Sequence, residues 1–436
     1  MPRTSNDIDY VKWKDPRTKK SKQPPPEPWA VPPFTPFRID NYWDLGEGAV
    51  PQGTDRGDPL ALFRLFFTDE MLDKMAGWTN AYAEAHPVSE EEAPKGRARP
   101  WKPTCRQELY AYFGVVIHMG ITIEPAVEDY WGPIEKGAAH KVTEYISRNR
   151  FEQLERYIRC SPMPEDGFHT TFDRVDELSE HLRVLCRKFW RPGPHLAVDE
   201  TIQRFMGRAP EIVNIPSKPT PEGFKIWVLA NQSYVLDWLW HAKGDKKGPV
   251  NLNKAFLNEG FTKTQAVVLD LLTQRNDVTN ERLYPPGKHV VWLDNLFSSV
   301  KLFERLRELG IGAAGTVRTT RTRREELGEE EYNVQEETIE VNRAAPAKSK
   351  LSTAHTAPLK QRTERKKKVP AERFSASLSD LKLSHDTQIP WGTLYAELSK
   401  SHQVMEFAWK DATMVLFLST VHDGRCLFLN TVSQSR

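Results

Sequence analysis

Cysteine is scarce: four residues in 436, at Cys105, Cys160, Cys186 and Cys426. No two lie close together, so CxxC pairs, zinc-ribbon spacings and a disulfide framework are excluded, and a reducing compartment fits. Long apolar runs are missing as well. No stretch approaches the ~18 apolar residues of a membrane-spanning helix, and Met1–Lys20 carries charge without an apolar run, so neither an anchor nor a secretory leader is expected. Nor does one charge dominate. Sixty-one Lys and Arg against 59 Asp and Glu leave +2. That excludes a globally basic nucleic-acid binder and confines any DNA-binding surface to a local patch. What is present is 39% hydrophobic residues, 28% charged residues and 32 prolines. Such a mixture supports at least one sizeable core beside unstructured segments. At ~100–200 residues per domain, two or three domains fit the length. A soluble, cytosolic or nuclear chain is expected.

Composition shifts along the chain divide it. Residues 1–54 form a Pro-rich, basic arm, with Pro24-Pro25-Pro26 and Pro32-Pro33 favouring extended polyproline over packing; a disordered arm is expected. Residues 55–190 read as helical. Thr68-Asp69-Glu70 looks like an N-cap with acids in the first turn, and Leu109, Tyr112, Phe113, Val116 and Ile117 recur at helical spacing as a core stripe. Further helices are expected near 147–160 and 173–190. Strand patterns begin after Pro192-Gly193-Pro194: His195–Val198, then Phe224–Ala230 and Tyr234–His241 as a hairpin. Val290–Leu293 is a buried strand, Ser298–Leu309 an amphipathic helix stopped by Gly310, and Gly312–Val317 the next strand. Residues 321–403 carry acidic and basic blocks, including Lys360–Lys368, and read as a partly disordered charged insertion. Strand patterns return at Val404–Trp409 and Thr413–Thr420. The order predicts an α/β domain, residues 191–320 with 404–436, split by the insertion.

Two predicted strands end in an acid: Val198-Asp199 and Leu293-Asp294. A carboxylate there is aimed into the crevice at the sheet edge, where a few such groups can hold a pair of Mg²⁺ or Mn²⁺ ions for phosphodiester chemistry. Asp411 flanks the returning strand pattern and is a candidate third ligand. Glu200 is either an orienting group for the metals or one half of a salt bridge. Trp227, Trp292 and Trp409 read as core rather than as base-stacking surfaces. Arg204, Arg208, Lys218 and Lys225 lie close in sequence to Asp199, and Arg318, Arg321, Arg323 and Arg324 follow the Gly312–Val317 strand. All eight are candidates for salt-sensitive phosphate contacts.

The motifs around these acids form a recognisable set. Asp199-Glu200 leads into Phe205-Met206-Gly207-Arg208, then Lys218-Pro219, then Gly223-Phe224-Lys225. Asp294-Asn295-Leu296-Phe297-Ser298-Ser299 is followed by Gly315-Thr316-Val317-Arg318, and Trp409-Lys410-Asp411 by Leu418-Ser419-Thr420. Upstream stand Thr79-Asn80-Ala81-Tyr82, Glu108-Leu109, Phe113-Gly114, Met119-Gly120-Ile121, Asp129-Tyr130-Trp131 and Asn149-Arg150-Phe151-Glu152. In this order and spacing the chain resembles piggyBac-type transposases over roughly residues 58–320 and 404–420.

The resemblance implies a ribonuclease-H-like catalytic domain behind a helical dimerisation and DNA-binding region at 55–190. It implies Asp199, Asp294 and Asp411 as a metal-binding triad for two Mg²⁺ or Mn²⁺ ions. The reaction it implies is cut-and-paste transposition at TTAA sites. A water cuts at the element ends, the freed 3′-hydroxyl forms and reopens a hairpin, and that hydroxyl then joins target DNA. A homodimer acting on DNA in the nucleus follows, with no membrane partner. Leu296 stands where an aromatic is usual, an apolar exchange that packing tolerates. The Cys/His-rich zinc-binding domain expected after the third block has no counterpart before Arg436. Two functions therefore compete: an active transposase, and a domesticated or degenerate derivative that binds DNA or chromatin without transposition.

Overall fold

The computed structural model describes residues 24–87, 100–132, 140–318 and 374–424, apart from 166, 169, 217, 244–247 and 277. Most of the charged insertion, with Arg321, Arg323, Arg324 and Lys360–Lys368, lies outside them, as do residues 1–23.

Along the chain run β1 (Glu47–Gly48), α1 (Pro59–Phe66), α2 (Asp69–Ala85), α3 (Arg106–Ile121), α4 (Arg148–Tyr157), α5 (Asp176–Lys188), β2 (Trp190–Arg191), β3 (His195–Arg204), β4 (Val213–Asn214), β5 (Glu222–Asn231), β6 (Tyr234–Ala242) and β7 (Gly248–Pro249). Then follow α6 (Lys254–Asn258), α7 (Lys263–Leu272), β8 (Val290–Leu293), α8 (Val300–Glu308), β9 (Gly312–Thr316), α9 (Ala376–Asp380), β10 (Leu394–Leu398), β11 (Met405–Lys410) and β12 (Met414–Ser419). The chain divides into two compact units, and the division falls inside β3, after Asp199.

One unit holds the described residues within 45–193 and 200–252. Thr68 caps α2 by accepting from the Met71 amide at 3.2 Å, as its sequence predicts. Met71, Leu72 and Met75 of α2, Leu109 and Tyr112 of α3, and Phe151 and Leu154 of α4 form one buried core. Each large apolar side chain removed from water there stabilises the unit by roughly 1.5–3 kcal/mol. The α3 stripe is only half core: Leu109 and Tyr112 are buried, whereas Val116 and Ile117 are exposed. β5 and β6 form the expected hairpin, antiparallel, around the two-residue turn Gln232-Ser233. Both turn residues have positive φ, 50° and 69°, the geometry that matches strand twist in a tight hairpin.

The other unit holds the described residues within 24–44, 194–199 and 253–424. Its sheet runs β10-β11-β12-β9-β8-β3. β3, β8 and β9 are parallel, with Val198 opposite Leu293 and Leu293 opposite Gly315. β12 runs antiparallel to β9, with Phe417 opposite Thr316. α8 connects β8 to β9; its apolar face (Val300, Leu302, Phe303, Leu306) is buried, and Gly310 at φ 75° ends it. The expected α/β class and its mixed sheet are present.

Two expectations change. Residues 24–44 are packed rather than unstructured. Val31 and Phe34 pack on the Ala396–Met405–Phe407 cluster, Tyr395 donates to the Pro26 carbonyl at 2.8 Å, and the Phe37 amide donates to Thr420 O at 2.7 Å. Apolar anchors spaced between the prolines make the difference. Residues 376–398, assigned from sequence to the insertion, supply α9 and β10, which pairs with β11.

Candidate active site

Asp199 and Asp294 each follow the residue that ends a paired parallel register, Val198 and Leu293. They are therefore neighbours on adjacent strands, about 5 Å apart in backbone position. Alternation along the strands separates two faces. Leu196, Val198 and Leu293 are buried, while Ala197, Asp199, Trp292 and Asp294 are exposed on the other face. These exposed residues line a crevice of about 340 Å³, together with Ala314, Gly315, Thr316, Phe417 and His422.

The motif around Asp294 explains its presentation. The Phe297 amide and the Ser298 hydroxyl both donate to the Asp294 carbonyl, at 3.0 and 3.1 Å. Phe297 and Ser298 are completely buried. A tight turn is thus anchored below the strand end, and the Asp294 carboxylate is left on the open face. Thr316 donates to Asp294 Oδ1 at 3.2 Å. Gly315 has no room for a side chain, because a Cβ there would strike the Leu293 carbonyl and Ser298 Oγ. Arg318 donates through Nε to Asn295 Oδ1, beside Asp294.

A ring cluster borders the acids. Trp292 Nε1 donates to His195 Nδ1 at 3.0 Å, and His195 Nε2 bonds the Tyr42 carbonyl at 2.9 Å. Indole N–H only donates and a carbonyl only accepts, so the histidine tautomer is set: the proton sits on Nε2. His422 bonds Tyr42 OH at 3.1 Å and Ser419 Oγ at 2.9 Å. Burial pushes the His422 imidazole below the usual histidine range, and His195 adds to that, against Asp423. Burial also raises the Tyr42 phenol.

Asp411 is not among the crevice residues. It lies in the turn between β11 and β12, exposed, and accepts from Trp391 Nε1 at 3.3 Å. Since Phe417 is level with Thr316, the start of β12 at Met414 lies about 10 Å further along the strand axis, at ~3.3 Å per residue. The turn is pinned there: Lys410 Nζ bonds Asp386 and the Ala412 carbonyl, and the Met414 amide bonds Asp386. Among the described residues no group of three His, Cys, Asp or Glu is placed to hold a metal ion. The structure thus brings two of the three expected ligands together.

Arg204, Arg208, Lys218 and Lys225 all lie in the helical unit. Lys218 pairs with Glu200 at 3.1 Å, so Glu200 takes the salt-bridge role considered for it. Lys225 sits over the Trp227 ring at 3.9 Å. Arg208 lines a surface cleft of about 530 Å³ with Asn214, Glu222 and Lys243, and Arg204 is exposed. Among the crevice residues His422 was missed from sequence, and Trp292, expected in the core, is 40% exposed instead. His422 lies just past the last motif and had no signal. Trp292 had one: it is two residues before Asp294, so strand alternation places both on one face.

Known proteins resemble this chain in the same terms. The family profile described as Transposase IS4 matches residues 58–436. The human PiggyBac transposable element-derived protein 2 is 26% identical over 270 residues, covering 61% of this chain and 41% of that protein. The human PiggyBac transposable element-derived protein 3 is 22% identical over 262 residues, covering 60% and 40%. The chain therefore spans about two fifths of the length of these curated relatives. Among solved structures, a cryo-EM piggyBac transposase synaptic complex with hairpin DNA matches with a TM-score of 0.52 at 20% identity, covering 86% of this chain and 63% of that one. At that identity the likeness is one of fold.

Proposed function

The chain belongs to the Transposase IS4 family in its piggyBac-type form, and from that premise we propose a metal-dependent DNA-cleaving and strand-transferring protein centred on Asp199 and Asp294. The observation that carries this reading is the pair of carboxylates that follow the last paired residues of two adjacent parallel strands, on the open face of the sheet. The donor set suits a hard divalent cation. Mg²⁺ is commonly held by one or two carboxylates plus substrate phosphates, and Mn²⁺ takes the same oxygens. When bound, such an ion supplies an activated water or 3′-hydroxyl and charge neutralisation at the phosphate. The chain's own contribution is placement. The Asp294 turn fixes one carboxylate, Thr316 orients its Oδ1, and Arg318, tethered to Asn295, offers a cation for the DNA backbone. Holding two ions, as the resemblance implies, would take a ligand beyond this pair.

The same reading makes DNA at element ends beside TTAA the substrate, handled by a homodimer in the nucleus. The similar solved structure holds hairpin DNA, which supports a route through a hairpin. A second reading, DNA binding without cleavage, is favoured by the placement of Asp411 outside the crevice. Incubation with Mg²⁺ or Mn²⁺ and a labelled duplex containing TTAA, beside the Asp294→Asn variant, decides between them. Nicking that disappears in the variant supports the enzyme. Salt-sensitive binding without nicking, unchanged by the variant, supports the binder.

A further inference from the structure

Trp292 is an unusual lining residue. It is 40% exposed although it sits on a central strand of its sheet. Its register partners on both sides are alanines, Ala197 on β3 and Ala314 on β9. Small neighbours leave the indole 40% exposed to the crevice, with the tilted rings of His195 and His422 6.0 and 5.8 Å from it. The ring is nevertheless held in place: its Nε1 donates to His195, whose other nitrogen is held by the Tyr42 carbonyl. An apolar ring that is both exposed and hydrogen-bonded into position is a preorganised surface for a flat partner. Along β8 it stands two residues from Asp294, about 6.6 Å, so one nucleotide can reach both.

We propose that Trp292 is a base-stacking platform: a nucleobase unpaired from its duplex lies on the indole, beside Asp199 and Asp294. The inference rests on the DNA-processing reading above and adds the conformation of the substrate. Stacking on an exposed aromatic contributes to single-strand binding irrespective of base identity. An intact duplex keeps its bases stacked on each other and gains nothing from Trp292.

The test uses the full chain without Mg²⁺ or Mn²⁺, with an intact duplex and a duplex interrupted by a short single-stranded gap carrying 2-aminopurine. Affinity and 2-aminopurine fluorescence are read for the wild type, Trp292→Phe, Trp292→Leu and Trp292→Ala. The leucine variant keeps apolar packing without an aromatic face. The expected result is quenching by the wild type and Trp292→Phe. Leucine and alanine should lose the quenching and bind the gapped probe about tenfold more weakly, with intact-duplex affinity unchanged. Equal affinity and quenching in all four proteins overturns the platform, and so does a parallel loss on both probes. Failure of the wild type to bind either probe overturns the DNA reading itself, and the platform with it.

Discussion

Acidic residues of the helical unit and of the sheet edge meet opposite fates. In the helical unit Glu108 accepts from Arg150 at 2.6 and 2.7 Å and from Thr104 at 2.6 Å. Asp237 on β6 is fully buried and receives Arg183 and Arg187. The motif residue Asn80 is spent likewise, bonding Thr104 and Trp101. At the sheet edge the backbone of Asp294 builds a turn while its carboxylate faces a crevice, touched by a hydroxyl. One set of motif residues holds a fold together and the other lines an open crevice. A shared motif list does not distinguish them; burial and partners do.

Two acids test the contrast most strongly. Asp237→Ala leaves two partly buried guanidinium groups with only the exposed Glu180 as an acid partner and should cost roughly 3 kcal/mol of stability, read by urea unfolding. Asp294→Asn should leave the urea midpoint nearly unchanged yet reduce nicking by at least about a hundredfold, the equivalent of several kcal/mol of transition-state stabilisation. A large stability loss in Asp294→Asn would erase the distinction.

Glu108 offers a second comparison. Burial alone would raise its pKa, but hydrogen bonds from Arg150 and Thr104 with the Arg150 charge outweigh it and hold the carboxyl below its usual range. A depressed carboxyl stabilises the fold above its unfolded pKa, so this contribution is lost as pH falls below about 4.3. Glu108→Gln should flatten that acid limb of the melting profile and cost about 1.5–3 kcal/mol at neutral pH.

His422 should act at milder pH. Its folded pKa lies below the unfolded value of about 6.5. As pH falls through that value the unfolded chain takes up the proton first, and stability drops. His422→Gln should remove that part of the decline between pH 7 and pH 5 in thermal melts. The smallest effect is expected at Asp411. Asp411→Asn should change stability by no more than about 0.5 kcal/mol and leave nicking near wild type. Loss of nicking matching Asp294→Asn would restore Asp411 as a ligand.

Local rules made much of this molecule readable in advance. The Thr68 cap, the stop at Gly310, the β5–β6 hairpin and the acid that follows β8 depend on neighbours within a few residues, whereas β3 runs on past Asp199 to Arg204. Trp292 was legible in principle through alternation, but β-propensity alone favours burial for tryptophan. The packed segment 24–44 was not legible, because prolines argue for extension and say nothing about what the extended chain lies against. Nor was β10, whose partner β11 is found only by closing a turn behind a charged segment.

The sequence by itself determined the α/β class, the two acids that follow strand patterns and the family. These rest on short-range patterning and on residue identities. That the strands of the two acids are adjacent and parallel came from the fold. The tertiary structure alone decided that Asp411 stands off the crevice while Trp292 and His422 border it. Those outcomes depend on strand direction and register between segments more than a hundred residues apart, where pairing is settled by the whole core rather than by any local stretch.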